Sequence, residues 1–169
     1  MATAIMPTTV AVNDRDVLER LSPTAISGFL RLADLWKLTM DERQDLLGVS
    51  VGRTTLANWA RGETSASTLS TDQLMRISYL LAIYEGLQRI WRRAPHLGDQ
   101  WPRRRRYEAP FGGYSPIEAL RRGGIPAFAA VRAYVDELTG GPPSREGYTQ
   151  PHASVAPTDV TPGRPGDRA

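Results

Sequence analysis

The chain has 169 residues, of which 41% are hydrophobic, and it carries 21 basic and 18 acidic side chains for a net charge of +3. This length suits one ordinary domain or two small domains that share a core. No apolar run approaches the roughly 18 residues of a membrane span. The absence of cysteine excludes disulfides and thiolate metal sites. A chain without disulfides is compatible with a reducing compartment. We therefore expect a cytoplasmic protein without a membrane anchor.

Both ends of the chain lack a periodic apolar pattern. Residues 1–21 are small and rich in threonine, and they form a poor signal peptide, so we expect a flexible arm. Residues 140–169 combine many prolines with Gly, Ser and Thr, which predicts a disordered tail. The folded part is predicted to lie between residues 22 and 139.

Helix-start signals mark the middle of the chain. Four positions combine a capping side chain with proline at the first helical position or with Glu or Gln three residues later: Ser22, Thr39, Ser70 and Ser115. Apolar residues recur at helical spacing after each signal. We predict a break over residues 95–102 and another at Gly123 and Gly124, before a last helix over about 126–138. Strand-like alternation is absent, so the predicted fold is all-α.

Two short predicted helices, joined through Gly48, are typical of a helix-turn-helix. In this motif a first helix braces a second one, whose N-terminal half lies in the major groove. The outward-facing and therefore DNA-binding residues would be Arg53, Thr54, Thr55, Asn58 and Arg61. Arg can bind guanine, Asn can bind adenine, and Thr can bind phosphates or base edges. The stretch from Gly48 to Gly62 is longer than in a typical motif, which leaves open where the second helix begins and whether DNA binding is retained.

Positive charge concentrates between residues 76 and 106, which hold eight arginines against Glu85 and Asp99. Such a block indicates an anionic partner, either nucleic acid or an acidic protein face. Within it, the run from Arg103 to Arg106 could be a solvated loop, a phosphate contact or a clamp on a partner protein.

Catalytic chemistry finds little support in the sequence. His96 and His152 fall in a predicted loop and in the predicted tail, so no triad or metal cluster is easily assembled. The acidic residues Asp41, Glu42 and Asp45 are expected on the exposed face of a short helix. We predict a protein without enzymatic activity, cofactor or metal.

Two groups of segments resemble the Xre/MbcA/ParS antitoxin family. Its Xre-like helix-turn-helix domain is similar to residues 38–43 and 46–50, Leu56, Trp59, and residues 69–74 and 76–84. In the C-terminal half, four further pieces are similar to its toxin-binding domain: Trp101, residues 110–120, Gly123 and residues 131–135. The resemblance covers about residues 30–138.

The resemblance implies an antitoxin that binds a RES-domain toxin, covers its NAD site and represses its own operon as a homodimer. Residues 22–94 would form the helix-turn-helix and dimerisation domain, with the long helix over 71–91 as core and dimer face, and residues 95–139 would bind the toxin. The implied toxin-binding residues are Trp101, Arg103, Arg104, Arg105, Arg106, Phe111, Gly112, Gly113, Tyr114, Ser115 and Pro116.

Other interpretations stay open at this point. The chain could be a stand-alone helix-turn-helix repressor whose C-terminal domain dimerises or binds an effector. It could also be an adaptor that binds another enzyme through residues 111–120. Trp101 could close the core of the second domain or anchor an interface, and residues 111–114 could be a plain corner before a helix.

Overall fold

A computed structural model of the chain describes residues 15–48, 50–64 and 68–140, and these ranges contain helices and no strand. The helices are α1 (Arg15–Leu35), α2 (Met40–Leu47), α3 (Arg53–Ala60), α4 (Thr71–Ile90), α5 (Pro95–Gln100) and α6 (Pro116–Leu138), with a 3₁₀ turn over Trp101–Arg103. The predicted all-α fold is confirmed. Residues 1–14 and 141–169, which hold most of the predicted arm and tail, lie outside the described residues.

Three predicted capping boxes are confirmed at the starts of α2, α4 and α6. At Thr39, the hydroxyl accepts a hydrogen bond from the backbone N–H of Glu42, and the Glu42 carboxylate accepts one from the N–H of Thr39. Ser70 with Gln73 and Ser115 with Glu118 make the same reciprocal pair. Each box satisfies N–H groups that a helix start would otherwise leave unpaired.

The predicted start of the first helix at Ser22 is wrong, because α1 is already helical from Arg15. Residues 15–21, expected in the arm, are therefore part of this helix. The Ser22 side chain is fully buried and caps nothing. Its hydroxyl donates to the Leu18 carbonyl at 2.6 Å and accepts from the Leu69 N–H at 2.8 Å. Ser22 thus connects α1 to the segment that leads into α4.

The region after α4 is more helical than predicted. Residues 95–102, predicted as a break, form α5 and most of the 3₁₀ turn. The predicted break at Gly123 and Gly124 is present as a kink inside α6, where Gly124 has φ 57°. This positive φ lies in the left-handed region that glycine tolerates without steric cost.

Helix α4 lies at the centre of the molecule, against α1, α5 and α6. Gly86 allows the closest approach, because a Cβ built there would lie 2.5 Å from Val135 Cγ1 of α6. The two parts of the chain expected as separate domains share one cluster of buried apolar side chains. None of the helices in the described ranges is long and apolar enough to cross a bilayer.

Candidate functional sites

Helices α2 and α3 form the predicted helix-turn-helix. Four buried side chains fasten them to the core: Leu46, Leu47, Leu56 and Trp59. Gly48 ends α2 with φ 92°, a conformation that residues other than glycine rarely adopt. The Gln44 amide donates to the Val51 carbonyl at 2.9 Å and so bridges from α2 to the end of the turn. The turn is longer than usual but is held at both ends.

The five predicted DNA-binding residues lie on or next to α3. Arg53, Thr54 and Arg61 are exposed, and Thr55 and Asn58 are half-buried. Two of these side chains meet directly, because Arg61 Nη2 donates to the Asn58 side-chain oxygen at 2.5 Å. The structure therefore presents the predicted set from one short helix and its C-cap.

Both arginines of this set are paired with carboxylates. Arg53, the first residue of α3, makes an ion pair with Asp41 in the first turn of α2. Arg61 pairs with Glu63 at 3.1 Å. DNA phosphates would have to compete with these two carboxylates, so the surface of α2 and α3 offers little free positive charge.

Arg103 is tied into the fold, although its side chain stays partly exposed. Its guanidinium binds Glu42 at two points, with Nη1–Oε1 and Nη2–Oε2 distances of 2.8 Å. It also donates from Nε to the Trp36 carbonyl at 3.1 Å and from Nη2 to the Lys37 carbonyl at 2.5 Å. This residue of the C-terminal half thereby fixes the N-terminal end of α2.

The prediction that Glu42 lies on an exposed face is wrong, since this residue is only 8% exposed. The capping box turns its carboxylate back toward the helix start, where Arg103 reaches it. Burial by itself would raise the pKa of Glu42, but hydrogen bonds from Arg103 and Thr39 outweigh this effect and lower the pKa. Glu42 is therefore held as a buried, paired carboxylate.

Four of the implied toxin-binding residues lie inside the protein: Trp101, Phe111, Ser115 and Pro116. The Trp101 and Phe111 rings meet edge to face at 5.7 Å, and Phe111 meets Tyr134 of α6 at 5.0 Å. The Arg106 guanidinium lies 4.7 Å from the centre of the Trp101 ring. As they stand, these rings hold residues 104–114 against α6 and are not available to a partner.

Most of the other implied toxin-binding residues lie on a closed loop over residues 104–114. We name this segment the arginine–tyrosine loop. The N–H of Arg106 donates to the Tyr114 carbonyl at 3.1 Å, and the N–H of Gly113 donates to the Arg106 carbonyl at 2.7 Å. The exposed residues of the loop include Arg104, Arg105, Gly112 and Tyr114. Gly113 is half-buried and has φ 93°, so the turn at this position is suited to glycine.

Sequence reasoning missed two residues of this surface. Tyr107 is 82% exposed, the most exposed of the large apolar and aromatic side chains in the described ranges. Arg122 of α6 lies over the Tyr114 ring at 4.5 Å. A tyrosine directly after four arginines was the available signal for Tyr107. For Arg122 there was none, since its contact depends on how α6 packs.

A polar network fixes the loop to α6. Glu108 accepts from Arg106 Nη1 at 2.8 Å and from the Tyr134 hydroxyl at 2.9 Å. A hydrogen bond from its own backbone N–H, followed by those from Arg106 and Tyr134, lowers the pKa of Glu108 to about 2. Burial, and then the bond to Glu108, raises the pKa of Tyr134. The loop is thus pinned by a carboxylate that stays ionised near neutral pH.

Metal ligation has no candidate in the part of the chain that the structure describes, where no three His, Asp or Glu side chains are grouped closely enough. The arrangement is instead one of two neighbouring surfaces, the helix-turn-helix and the arginine–tyrosine loop. Arg103 connects them through Glu42.

Comparison with known proteins agrees with this architecture. Residues 20–82 match the family of the antitoxin Xre-like helix-turn-helix domain, a span that runs from α1 into α4. The chain therefore belongs to the Xre-like antitoxin family. It is 34% identical over 119 residues to the uncharacterized protein y4oB of Sinorhizobium fredii (strain NBRC 101917 / NGR234), covering 70% of this chain and 87% of that protein. The search of solved structures found no match.

Proposed function

We propose that this protein is the antitoxin of a toxin–antitoxin pair that binds and neutralises a RES-domain, NAD-consuming toxin and represses its own operon. The match of residues 20–82 to the antitoxin Xre-like helix-turn-helix domain carries this proposal. The RES-domain partner rests on the resemblance of the C-terminal half to the toxin-binding domain of that family. The activity would lie in the cytoplasm, where operator DNA and NAD are both present.

The arginine–tyrosine loop supports a toxin-binding role for the C-terminal half. Tyrosine and arginine are enriched among the residues that dominate protein interfaces. The loop is already fixed by its backbone hydrogen bonds and by Glu108, so little conformational entropy would be lost on binding. We propose that Tyr107, Tyr114 and the neighbouring Arg104 and Arg105 contact the toxin, while the buried Trp101 and Phe111 support them from below.

The helix-turn-helix supports an operator-binding role. Asn58 and Thr55 of α3 would face base edges once the neighbouring ion pairs of Arg53 and Arg61 open toward DNA. A homodimer would present two such helices to two half-sites one helical turn apart. Because Arg103 braces α2 from the C-terminal half, both binding functions depend on one folded unit.

The proposal is tested by co-expressing the tagged chain with the product of the adjacent open reading frame. We expect the neighbour to co-purify, to consume NAD when separated, and to stop doing so when the antitoxin is restored. Tyr107→Ala should weaken this inhibition, because Tyr107 is the most exposed candidate anchor. Arg20→Gln, an exposed charge change in α1, serves as the control and should inhibit as well as the original chain.

Two outcomes would contradict the toxin-binding part. One is a neighbour that neither co-purifies nor consumes NAD, together with saturable binding of the upstream DNA by the chain alone. That result would favour the stand-alone repressor. The other is full inhibition by the Tyr107→Ala variant. That result would show that the loop is not part of the interface, even if the toxin–antitoxin complex exists.

A further inference from the structure

An open groove of about 470 Å³ lies between the end of α1 and the α5 segment with its 3₁₀ turn. Four basic or imidazole side chains line it: Lys37, His96, Arg103 and Arg104. The one acidic residue in the lining is Asp99, whose carboxylate already accepts a hydrogen bond from Gln88 at 3.0 Å. The groove therefore favours an anionic occupant.

The positive charge of the groove is only partly neutralised. Arg103 is paired with Glu42, but Arg104 donates to the neutral amide oxygen of Gln100 at 3.0 Å. Within residues 15–48, 50–64 and 68–140, no carboxylate pairs with the side chains of Lys37 or His96, and both residues are exposed. Lys37 and Arg104 are thus cations that remain available to a ligand.

The groove lies beside the N-terminal end of α2, and an ion pair links that end to the start of α3. Lys37 comes two residues before Thr39, the N-cap of α2. Asp41, in the first turn of α2, pairs with Arg53, the first residue of α3. When a recognition helix lies in the major groove, this end of the preceding helix faces the phosphate backbone.

The helix-turn-helix itself is poor in charge for phosphate contact. Residues 40–63 hold three arginines and four acidic side chains, and both exposed arginines of the recognition set are paired. Most of the binding free energy of a DNA-binding protein comes from cations that replace the counterions of phosphates. Charge from outside α2 and α3 would add to phosphate binding, and the groove is one adjacent source of it.

We propose that this groove binds backbone phosphates of duplex DNA beside the major groove occupied by α3. Lys37 and Arg104 make the contacts, and Arg103 fixes the groove by holding the start of α2. The C-terminal half is then part of the DNA-binding surface as well as of the toxin-binding surface. The inference rests on the proposed operator binding and adds to it the residues that bind phosphate.

Lys37 is the only lysine of the chain, which permits a direct test. The full-length protein is treated with an amine-acylating reagent, alone and with saturating duplex DNA from the region upstream of its gene, and the modified positions are measured by mass spectrometry. The N-terminal α-amino group of the purified protein serves as an internal reference in each sample. We expect DNA to protect Lys37 several-fold relative to the N-terminal amine. Equal acylation with and without bound DNA would overturn the proposal.

Variants test the same contact through salt dependence. Lys37→Gly removes the charge and suits the backbone, because Lys37 has φ 52°. Arg104→Gln removes the second charge, and its matched control is Arg20→Gln, an exposed arginine of α1 that does not line the groove. For each groove variant we expect weaker DNA binding and a slope of log K against log salt that is smaller by about one, whereas Arg20→Gln should stay close to the original chain.

The outcomes separate this inference from the operator-binding proposal. If the original chain does not bind the upstream duplex, operator binding fails and the groove proposal fails with it. If the chain binds and Asn58→Ala weakens binding, but Lys37→Gly and Arg104→Gln match the Arg20→Gln control, operator binding stands and the groove proposal is wrong.

Discussion

Arg103 and Glu42, which are 61 residues apart, form a two-point ion pair that fixes the start of α2 against the C-terminal half of the protein. The pair lies at a helix N-terminus, so Glu42 also satisfies the Thr39 N–H. A second ion pair, Arg121 of α6 with Asp45 of α2, acts in the same direction. The helix-turn-helix is therefore braced by residues that lie well outside it in the sequence.

Glu42→Gln should destabilise the protein by about 1 kcal/mol, because the mostly buried Glu42 side chain loses its charged hydrogen bonds to Arg103, whose guanidinium is partly exposed to solvent. Glutamine preserves the capping box, so the change isolates the ion pair. Glu118→Gln is the matched control, since Glu118 holds the same position in the α6 capping box without a hydrogen bond from an arginine. Urea denaturation followed by circular dichroism measures both variants. Equal losses would show that the pair with Arg103 contributes nothing beyond the cap.

The arginine–tyrosine loop should loosen at acid pH through Glu108. Its pKa is lowered from the usual 4.5 to about 2 in the folded protein, so its bonds stabilise the loop fully above about pH 4.5. This contribution is lost as the pH falls toward about 2. Two-dimensional NMR of the Gly112 and Gly113 amides between pH 6 and pH 2 would report the change. In Glu108→Gln the transition should be absent, and an identical titration in that variant would refute the assignment.

Gly86→Ala should destabilise the packing of α4 on α6. Alanine is the better helix former by about 1 kcal/mol, which by itself would stabilise the variant. The new Cβ would lie 2.5 Å from Val135 Cγ1, however, and overpacking of this kind costs about 1–3 kcal/mol. In a Val135→Ala background the clash is gone, so adding Gly86→Ala should be neutral or stabilising. Additive losses in the double variant, measured by thermal unfolding, would contradict the contact.

Two substitutions near α3 should change operator affinity in opposite directions. Asn58→Ala should weaken binding by about 1–3 kcal/mol if this side chain contacts a base. Asp41→Asn should strengthen binding, because Arg53 would no longer have to leave a carboxylate before it meets DNA. Fluorescence anisotropy with the upstream duplex measures both effects. Unchanged affinity in the two variants would place the recognition surface elsewhere.

Sequence patterns predicted those parts of the fold that depend on neighbouring residues. The capping boxes at Thr39, Ser70 and Ser115 and the turn at Gly48 each follow from side chains within a few positions of one another. Such signals predict the structure well because they are formed by residues close in sequence and do not depend on tertiary packing. The all-helical class and the positions of α2, α3 and α4 were therefore predicted correctly.

The features that were not predicted depend on distant partners. The hydrogen bond of Ser22 is made to Leu69, 47 residues away, and no local pattern distinguishes it from an N-cap. The burial of Glu42 depends on Arg103, and that of Trp101 depends on the rings of Phe111 and Tyr134. A sequence can identify aromatic residues that suit an interface, but only packing decides whether they are on the surface.

The brace between Arg103 and Glu42 also bears on how long each binding activity persists. If a protease cut the chain between α4 and α5 and the C-terminal segment dissociated, Glu42 would lose its arginine partner and stay a mostly buried carboxylate held only by the Thr39 N–H. Removing one partner of a buried ion pair destabilises a protein more than replacing both partners with apolar residues. A single cleavage after residue 90 would therefore end toxin binding and operator binding together. No truncated chain would remain as an active repressor.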